Sequence, residues 1–160
     1  MPNSRERRPL ELTSLQAVEQ ELARLSGAPY ERVGNWTLGQ ACRHLALDIR
    51  SSIDGYPNYT YLFAPLRPFV RWLLLPKLLR FESPSGIRAP AAYVPADDVD
   101  DQQGLKEYRE QIARFLSHEG KYQTHPGFGF NTRENLERIY SAHAAHHLSF
   151  LLPATGEGSG

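Results

Sequence analysis

The sequence predicts an all-α protein: a four-helix bundle with one long crossover that contains a short extra helix. Four segments carry apolar residues at alternating spacings of three and four, which is the period of a helix with one buried face. No stretch of useful length shows the period of two that is typical of strands. A chain of 160 residues can bury a core of its own, so we expect one domain.

The first two helices are bounded by similar signals. Each begins with a capping box, in which a threonine and a glutamine three residues later can bond to each other's backbone N–H groups. Each is closed by a glycine followed by a proline. The bounding residues are Thr13 (or Ser14), Gln16, Gly27 and Pro29 for the first helix, and Thr37, Gln40, Gly55 and Pro57 for the second.

The stretch from Tyr56 to Asp101 is predicted to be the crossover, because it holds seven of the twelve prolines. One apolar helical piece lies at about 68–81, and Pro76 should kink or split it. The apolar run Phe69–Leu75 exceeds what one face of a short helix can bury. The surplus is expected to cover an end of the bundle or a second subunit, so a homodimer is one expectation.

The last two helices complete the bundle. The acidic run 97–101 favours a helix N-terminus, and the third helix should end near residue 120. The fourth is predicted from about 132 to 152. The expected organisation is an N-terminal tail at 1–12, the helical bundle domain at 13–152 and a flexible C-terminal tail at 153–160.

Charge and cysteine content exclude several classes of protein. Lysine and arginine number 18, as do aspartate and glutamate, so no basic nucleic-acid surface is expected. The single cysteine, Cys42, excludes an intrachain disulfide. The most apolar stretch, 65–81, is too short to span a bilayer and is broken by charges. The N-terminus does not read as a secretory signal, and we expect a cytoplasmic protein that binds neither nucleic acid nor membrane.

Two histidines lie on the inward face of the last helix. That face reads Leu136, Tyr140, His143, His147 and Phe150, the spacing of core-facing bundle positions. Imidazoles one turn apart can bind the same metal ion, and without a shared partner their buried nitrogens would be costly. A His-x-x-x-His pair alone is a weak signal, so histidines that merely pack remain the alternative.

His44, beside the apolar stripe of the second helix, is the third candidate ligand. Metal sites in bundles are assembled from facing helices, and three neutral imidazoles leave positions open for water or substrate. Asp48, one turn further, is a candidate catalytic residue that orients a ligand or binds water, and its alternative is a partly exposed carboxylate. His125, in the loop before the last helix, is a candidate lid residue or proton shuttle, and its alternative is a plain turn histidine.

Two blocks of the sequence resemble the DinB/YfiT-like metalloenzyme superfamily, and more closely an uncharacterised branch of it. The first block is Gly34–Gln40 with His44 and Leu45, followed by Ser52–Pro57; the second is His125–Gly129, Thr132–Glu134 and His143–Leu148. The resemblance implies a four-helix bundle whose metal is held by His44, His143 and His147. Zinc, nickel and iron all occur in such sites.

Characterised relatives in that superfamily include thiol S-transferases, a mycothiol-dependent isomerase and the metal-binding bundle of sulfoxide synthases. The resemblance therefore implies a small-molecule substrate, such as a low-molecular-weight thiol, whereas the branch itself brings no agreed reaction. Three functions stay open: a metal-dependent transferase, isomerase or hydrolase; a metal-binding or stress-response protein without turnover; and a bundle whose histidines only pack or bind adventitious metal.

Overall fold

A computed structural model describes residues 6–154, which are mostly helical with one small sheet. In chain order the elements are α1 (Leu15–Ser26), β1 (Tyr30–Arg32), α2 (Leu38–Asp54), a 3-10 helix (Asn58–Leu66), α3 (Arg67–Leu73), α4 (Leu75–Leu79), a short 3-10 helix (Ala91–Tyr93), α5 (Asp101–Ser117), α6 (Arg133–Leu148) and β2 (Leu151–Pro153). The expected helical architecture is confirmed in outline, with four long helices and a long crossover. None of the described helices is long and apolar enough to cross a membrane.

The capping signals are confirmed for α2 and corrected for α1. The Thr37 hydroxyl accepts from the Gln40 backbone N–H at 3.2 Å, and the Gln40 side chain accepts from the Thr37 N–H at 3.0 Å. At α1 the box predicted at Thr13 is wrong by one residue, because Ser14 is the N-cap and accepts from the Ala17 N–H at 3.1 Å. Starting at Leu15 places that side chain in the core.

The crossover is split at Pro76, as predicted. α3 ends at Leu73, and α4 begins at Leu75 with Pro76 in its first turn, where a missing N–H costs little. Leu75 and Leu78 of α4 are buried in the main core, but no residue of α3 is buried. The crossover is therefore anchored by its second helix, and its first helix lies at the surface.

The C-terminal boundary differs from the prediction. α6 ends at Leu148, not near residue 152, and β2 pairs antiparallel with β1, with Arg32 opposite Leu151 and Tyr30 opposite Pro153. The sequence did not predict these strands, because three residues are too few to show alternation and the two strands lie about 120 residues apart in the sequence. The remaining part of the predicted C-terminal tail, from residue 155, lies outside the described residues.

Residues 6–12, which the sequence placed in a tail, lie along the end of α6. The Arg8 backbone N–H donates to the Ser149 carbonyl at 3.1 Å, and its guanidinium contacts the carboxylate of Glu21. Leu12 is buried in the same core as the four long helices. The first five residues of the predicted tail lie outside the described residues.

α2 and α5 cross at direct backbone contact, which two glycines make possible. A Cβ atom at Gly39 would lie 2.3 Å from the Asp100 carbonyl oxygen, and one at Gly104 would lie 2.2 Å from the Gly39 carbonyl oxygen. Any larger residue at either position would push the two helices apart. This close crossing fixes α2, the helix that carries His44 and Asp48.

Candidate metal centre

Three histidine side chains converge from two helices. His44 comes from α2, and His143 and His147 lie one turn apart on α6. The Nε2 atom of His143 lies 3.3 Å from Nε2 of His44 and 2.9 Å from Nε2 of His147. One ring nitrogen from each residue falls within 4.8 Å of the other two, so these histidines could hold one metal ion.

Two of the imidazoles are oriented by hydrogen bonds from the opposite side of the ring. Nδ1 of His44 donates to the backbone carbonyl of Tyr93 at 2.7 Å, and Nδ1 of His143 donates to Oδ2 of Asp48 at 3.0 Å. A carbonyl and a carboxylate can only accept, so each Nδ1 carries a hydrogen. In the neutral imidazoles the Nε2 lone pairs therefore point at each other, which is the tautomer a metal ligand needs.

Two of the three nitrogen–nitrogen distances, 3.3 Å and 2.9 Å, are close to those of ligands on one ion, and the third pair, His44 and His147, lies within 4.8 Å. Nitrogens bound at about 2.1 Å to one tetrahedral or octahedral ion are about 3.0–3.4 Å apart. Without a cation, Nε2 of His44 and Nε2 of His143 would face each other as two acceptors. A proton on one of these nitrogens would turn one acceptor–acceptor contact into a hydrogen bond. A divalent ion would satisfy the lone pairs of all three histidines at once.

Burial keeps His44 and His147 neutral. Desolvation first, and then the neighbouring His143, lowers the pKa of His44 to about 4. The same two causes lower the pKa of His147 well below the usual 6.5. Neutral imidazoles are the form that binds metal, so His44 and His147 need not lose protons at neutral pH. His44 is fully buried and the other two are partly exposed, which leaves an open side to the cluster.

Trp36 forms a wall of the site. Its ring stacks on the ring of His147, with 5.2 Å between the ring centroids and an interplanar angle of 24°. Its ring centroid also lies 4.8 Å from that of His44. Sequence reasoning did not identify Trp36 as a site residue, although it lies directly before the α2 cap. Tyr93, whose carbonyl orients His44, was missed as well, because a backbone acceptor leaves no side-chain signal in the sequence.

A family model matches residues 4–154, and its description is "Protein of unknown function (DUF1569)". The chain belongs to this family. No curated protein and no solved structure matched it in the corresponding comparisons. The description of DUF1569 names no reaction or ligand, so the functional hypothesis depends on the histidine site.

Asp48 of this DUF1569 protein lies behind the cluster. The sequence placed Asp48 one turn from His44, but the described hydrogen bond goes to His143 on the other helix. Burial alone would raise the pKa of the Asp48 carboxyl, but the hydrogen bond and charge of His143 outweigh burial, and the pKa is lowered. An ionised carboxylate behind an imidazole fixes the ring and increases its basicity.

His125 lies in the loop before α6, where its ring stabilises its own turn. Nδ1 accepts from the backbone N–H groups of Gly127 and Phe128, both at 3.1 Å, and the ring stacks on Phe128. The ring centroid of His125 also lies 5.6 Å from that of Tyr56, whose hydroxyl bonds to that of Tyr140 at 3.0 Å. These contacts are those of a turn histidine, and a role in proton transfer stays a prediction.

His146 is not one of the three clustered histidines, although its ring centroid lies 4.9 Å from that of His147. Its Nδ1 accepts from the Arg7 guanidinium at 2.9 Å, and Arg7 also donates to the Ser83 carbonyl at 2.7 Å. Two surface grooves of about 430 and 440 Å³ adjoin Arg7, and none of the three clustered histidines lines either of them. The three ring nitrogens that could hold a metal ion lie outside both grooves, and their convergence is the feature that specifies a chemistry.

Proposed function

We propose that this DUF1569 protein binds one divalent metal ion through His44, His143 and His147 and uses that ion in a reaction on a small molecule. The observation that carries the proposal is the convergence of three Nε2 atoms, two of them held by hydrogen bonds at Nδ1. That arrangement orients lone pairs toward one point, whereas histidines that only pack would direct those nitrogens to separate donors.

A relationship to the DinB/YfiT-like superfamily is part of the proposal. It is supported by the order of the ligands, one histidine on the second long helix and a His-x-x-x-His pair on the last. Imidazole ligands suit zinc, nickel and iron alike, so the identity of the ion must be measured. We also place the protein in the cytoplasm, because its free and buried cysteine, Cys42, suits a reducing compartment.

Three protein ligands favour catalysis over a purely structural site. Structural zinc sites are closed by four protein ligands, whereas catalytic sites keep a position for water or substrate. The partial exposure of His143 and His147 gives a small molecule a path to that position. A metal-binding protein without turnover is the second candidate, and it would close the coordination sphere with a further ligand.

We propose a low-molecular-weight thiol as the first substrate class to test. A divalent ion in this site would hold a thiol sulfur as thiolate at neutral pH. In a transfer to a halogenated arene, a carbon–sulfur bond forms and the carbon–halogen bond breaks. The halide leaves with the bonding electron pair, and the thiol proton passes to solvent or a nearby base. Asp48 would act as a positioning residue, since it contacts His143, and His125 is the remaining candidate for the base.

Metal analysis of protein purified without a histidine tag tests the site directly. We expect about one equivalent of a divalent ion per chain, and its loss from His147→Ala. His118→Ala is the matched control, because His118 caps α5 and bonds to the Lys121 carbonyl, and this variant should retain the ion. Equal metal content in all three proteins would refute the three-histidine site.

The reaction is tested on the metal-loaded protein. Small thiols are supplied with an electrophile such as a halogenated arene, and thiol consumption is compared between wild type and His147→Ala. Faster consumption by the wild type supports the transferase. Equal rates across several thiols and metals, with metal still bound to the wild type, would favour the binding protein without turnover.

A further inference from the structure

The crossover presents an apolar stripe to solvent. The stripe runs over the 3-10 helix at 58–66 and then over α3, with four side chains three residues apart and a fifth adjacent to the first of them. Its members are Leu62, Phe63, Leu66, Phe69 and Trp72, each more than half exposed, with Leu62 at 77% and Trp72 at 74%. Scattered single apolar side chains are normal on a surface, whereas a contiguous stripe with three aromatic or bulky residues indicates a binding surface.

The segment around the stripe is positively charged. Residues 58–88 contain five basic residues (Arg67, Arg71, Lys77, Arg80 and Arg88) and one acidic residue (Glu82), a formal charge of +4. Because the whole chain has a formal charge of zero, the remainder carries −4. The positive charge is thus concentrated in the segment of the chain that carries the exposed apolar side chains, and one of its basic residues, Arg80, pairs with Glu82 at 3.3 Å.

A surface segment that combines exposed apolar and aromatic side chains with basic residues has the composition that binds an anionic bilayer. Such a segment lies in the headgroup region with its apolar side chains inserted by about 5–10 Å, and the lysines and arginines contact the anionic headgroups. A second copy fits less well, since a two-fold contact through the stripe would place +4 against +4. We propose that the crossover stripe docks this protein on an anionic lipid surface, without spanning it, in place of the expectation from the sequence that no membrane is bound.

Two arginine side chains of α3 contact the loop that carries His125. The Arg67 guanidinium donates to the Pro126 carbonyl at 2.9 Å, and the Arg71 guanidinium lies 4.2 Å from the ring centroid of Phe130. Docking would therefore hold this loop close to the lipid surface. The proposal does not depend on the metal, since no histidine of the cluster belongs to the stripe.

Vesicle sedimentation tests the proposal on the full chain. Phosphatidylcholine vesicles with about 30 mole per cent phosphatidylglycerol are compared with pure phosphatidylcholine, at about 0.1 M and about 1 M salt. We expect binding to the anionic vesicles that weakens at high salt. Phe63→Ser with Trp72→Ser should lower the partition coefficient by roughly tenfold or more, and Leu116→Ser, an exposed apolar residue of α5, should not lower it.

The charge contribution has its own matched pair of variants. Lys77→Gln with Arg80→Gln should lower partitioning about fivefold for each charge removed, and Lys106→Gln with Lys121→Gln, which removes the same charge elsewhere, should have a smaller effect. Failure to sediment with anionic vesicles would overturn the proposal. So would a dimer, detected by analytical ultracentrifugation without lipid, that Trp72→Ser dissociates, because a second copy would then occupy the stripe.

Discussion

The carboxylate of Asp48 on α2 accepts a hydrogen bond from Nδ1 of His143 on α6, with 3.0 Å between the heavy atoms. This contact joins the two helices that supply all three candidate ligands. It also determines which nitrogen of His143 faces His44 and His147.

Asp48→Asn should weaken metal binding by about 10–100-fold, because a neutral amide holds the imidazole less firmly and increases its basicity less than a carboxylate does. Calorimetric titration of the metal-free protein measures the affinity. Asp54→Asn is the control on the same helix, since Asp54 is near the surface and pairs with Arg50 and Arg114. Equal losses in the two variants would show that Asp48 has no specific effect on the site.

His147→Ala should abolish metal binding and leave most of the helical structure. The four long helices have apolar faces of their own, so the ion adds stability to a fold that exists without it. At a free metal concentration of 100 times Kd, the wild type should gain about 2.7 kcal/mol in unfolding free energy, and the variant should gain none. Circular dichroism and denaturant unfolding measure both effects. An unfolded variant would show instead that the fold requires the metal.

The metal-free protein should lose stability on acidification. Burial, followed by the charge of His143, lowers the pKa of His44 and of His146 to about 4 and lowers the pKa of His147 well below 6.5. Burial also lowers the pKa of His125, against the opposing charge of Asp48. The unfolded chain has histidines near 6.5 and binds more protons between those values, so acid favours unfolding there. The stabilising contribution is complete above about pH 6.5 and is lost as pH falls toward 4.

Urea unfolding in the presence of a chelator, at several pH values between neutral and 4, measures this effect. His146→Gln removes one of the four groups and should show a shallower decline in unfolding free energy. A stability that is constant or rises over this range would contradict the prediction.

Gly39→Ala and Gly104→Ala should each destabilise the protein by about 3 kcal/mol, because the added methyl group would overlap backbone atoms of the facing helix. Thermal or urea unfolding measures the loss. Gly127→Ala is the matched control, since a Cβ there meets its first neighbour at 3.4 Å, an ordinary contact. A displaced α2 would also move His44, so we expect weaker metal binding in the two helix variants.

The sequence by itself determined the local features of this protein. The helical spacing predicted four long helices, the Thr37 and Gln40 pair predicted the start of α2, and Pro76 predicted the split in the crossover. The same spacing selected His143 and His147 as one pair on one face. These features depend on residues a few positions apart, whose geometry is set by the repeat of the helix itself.

Only the tertiary structure decided the partners across elements. Asp48 was predicted as a residue that orients a ligand or binds water, and the structure decides which ligand it contacts: it bonds to His143, which is 95 residues distant. The carbonyl of Tyr93, the ring of Trp36 and the pairing of β1 with β2 depend in the same way on where distant segments meet. That meeting is set by the close crossing of α2 with α5 and by the packing of many core side chains together, so no short stretch of sequence encodes it.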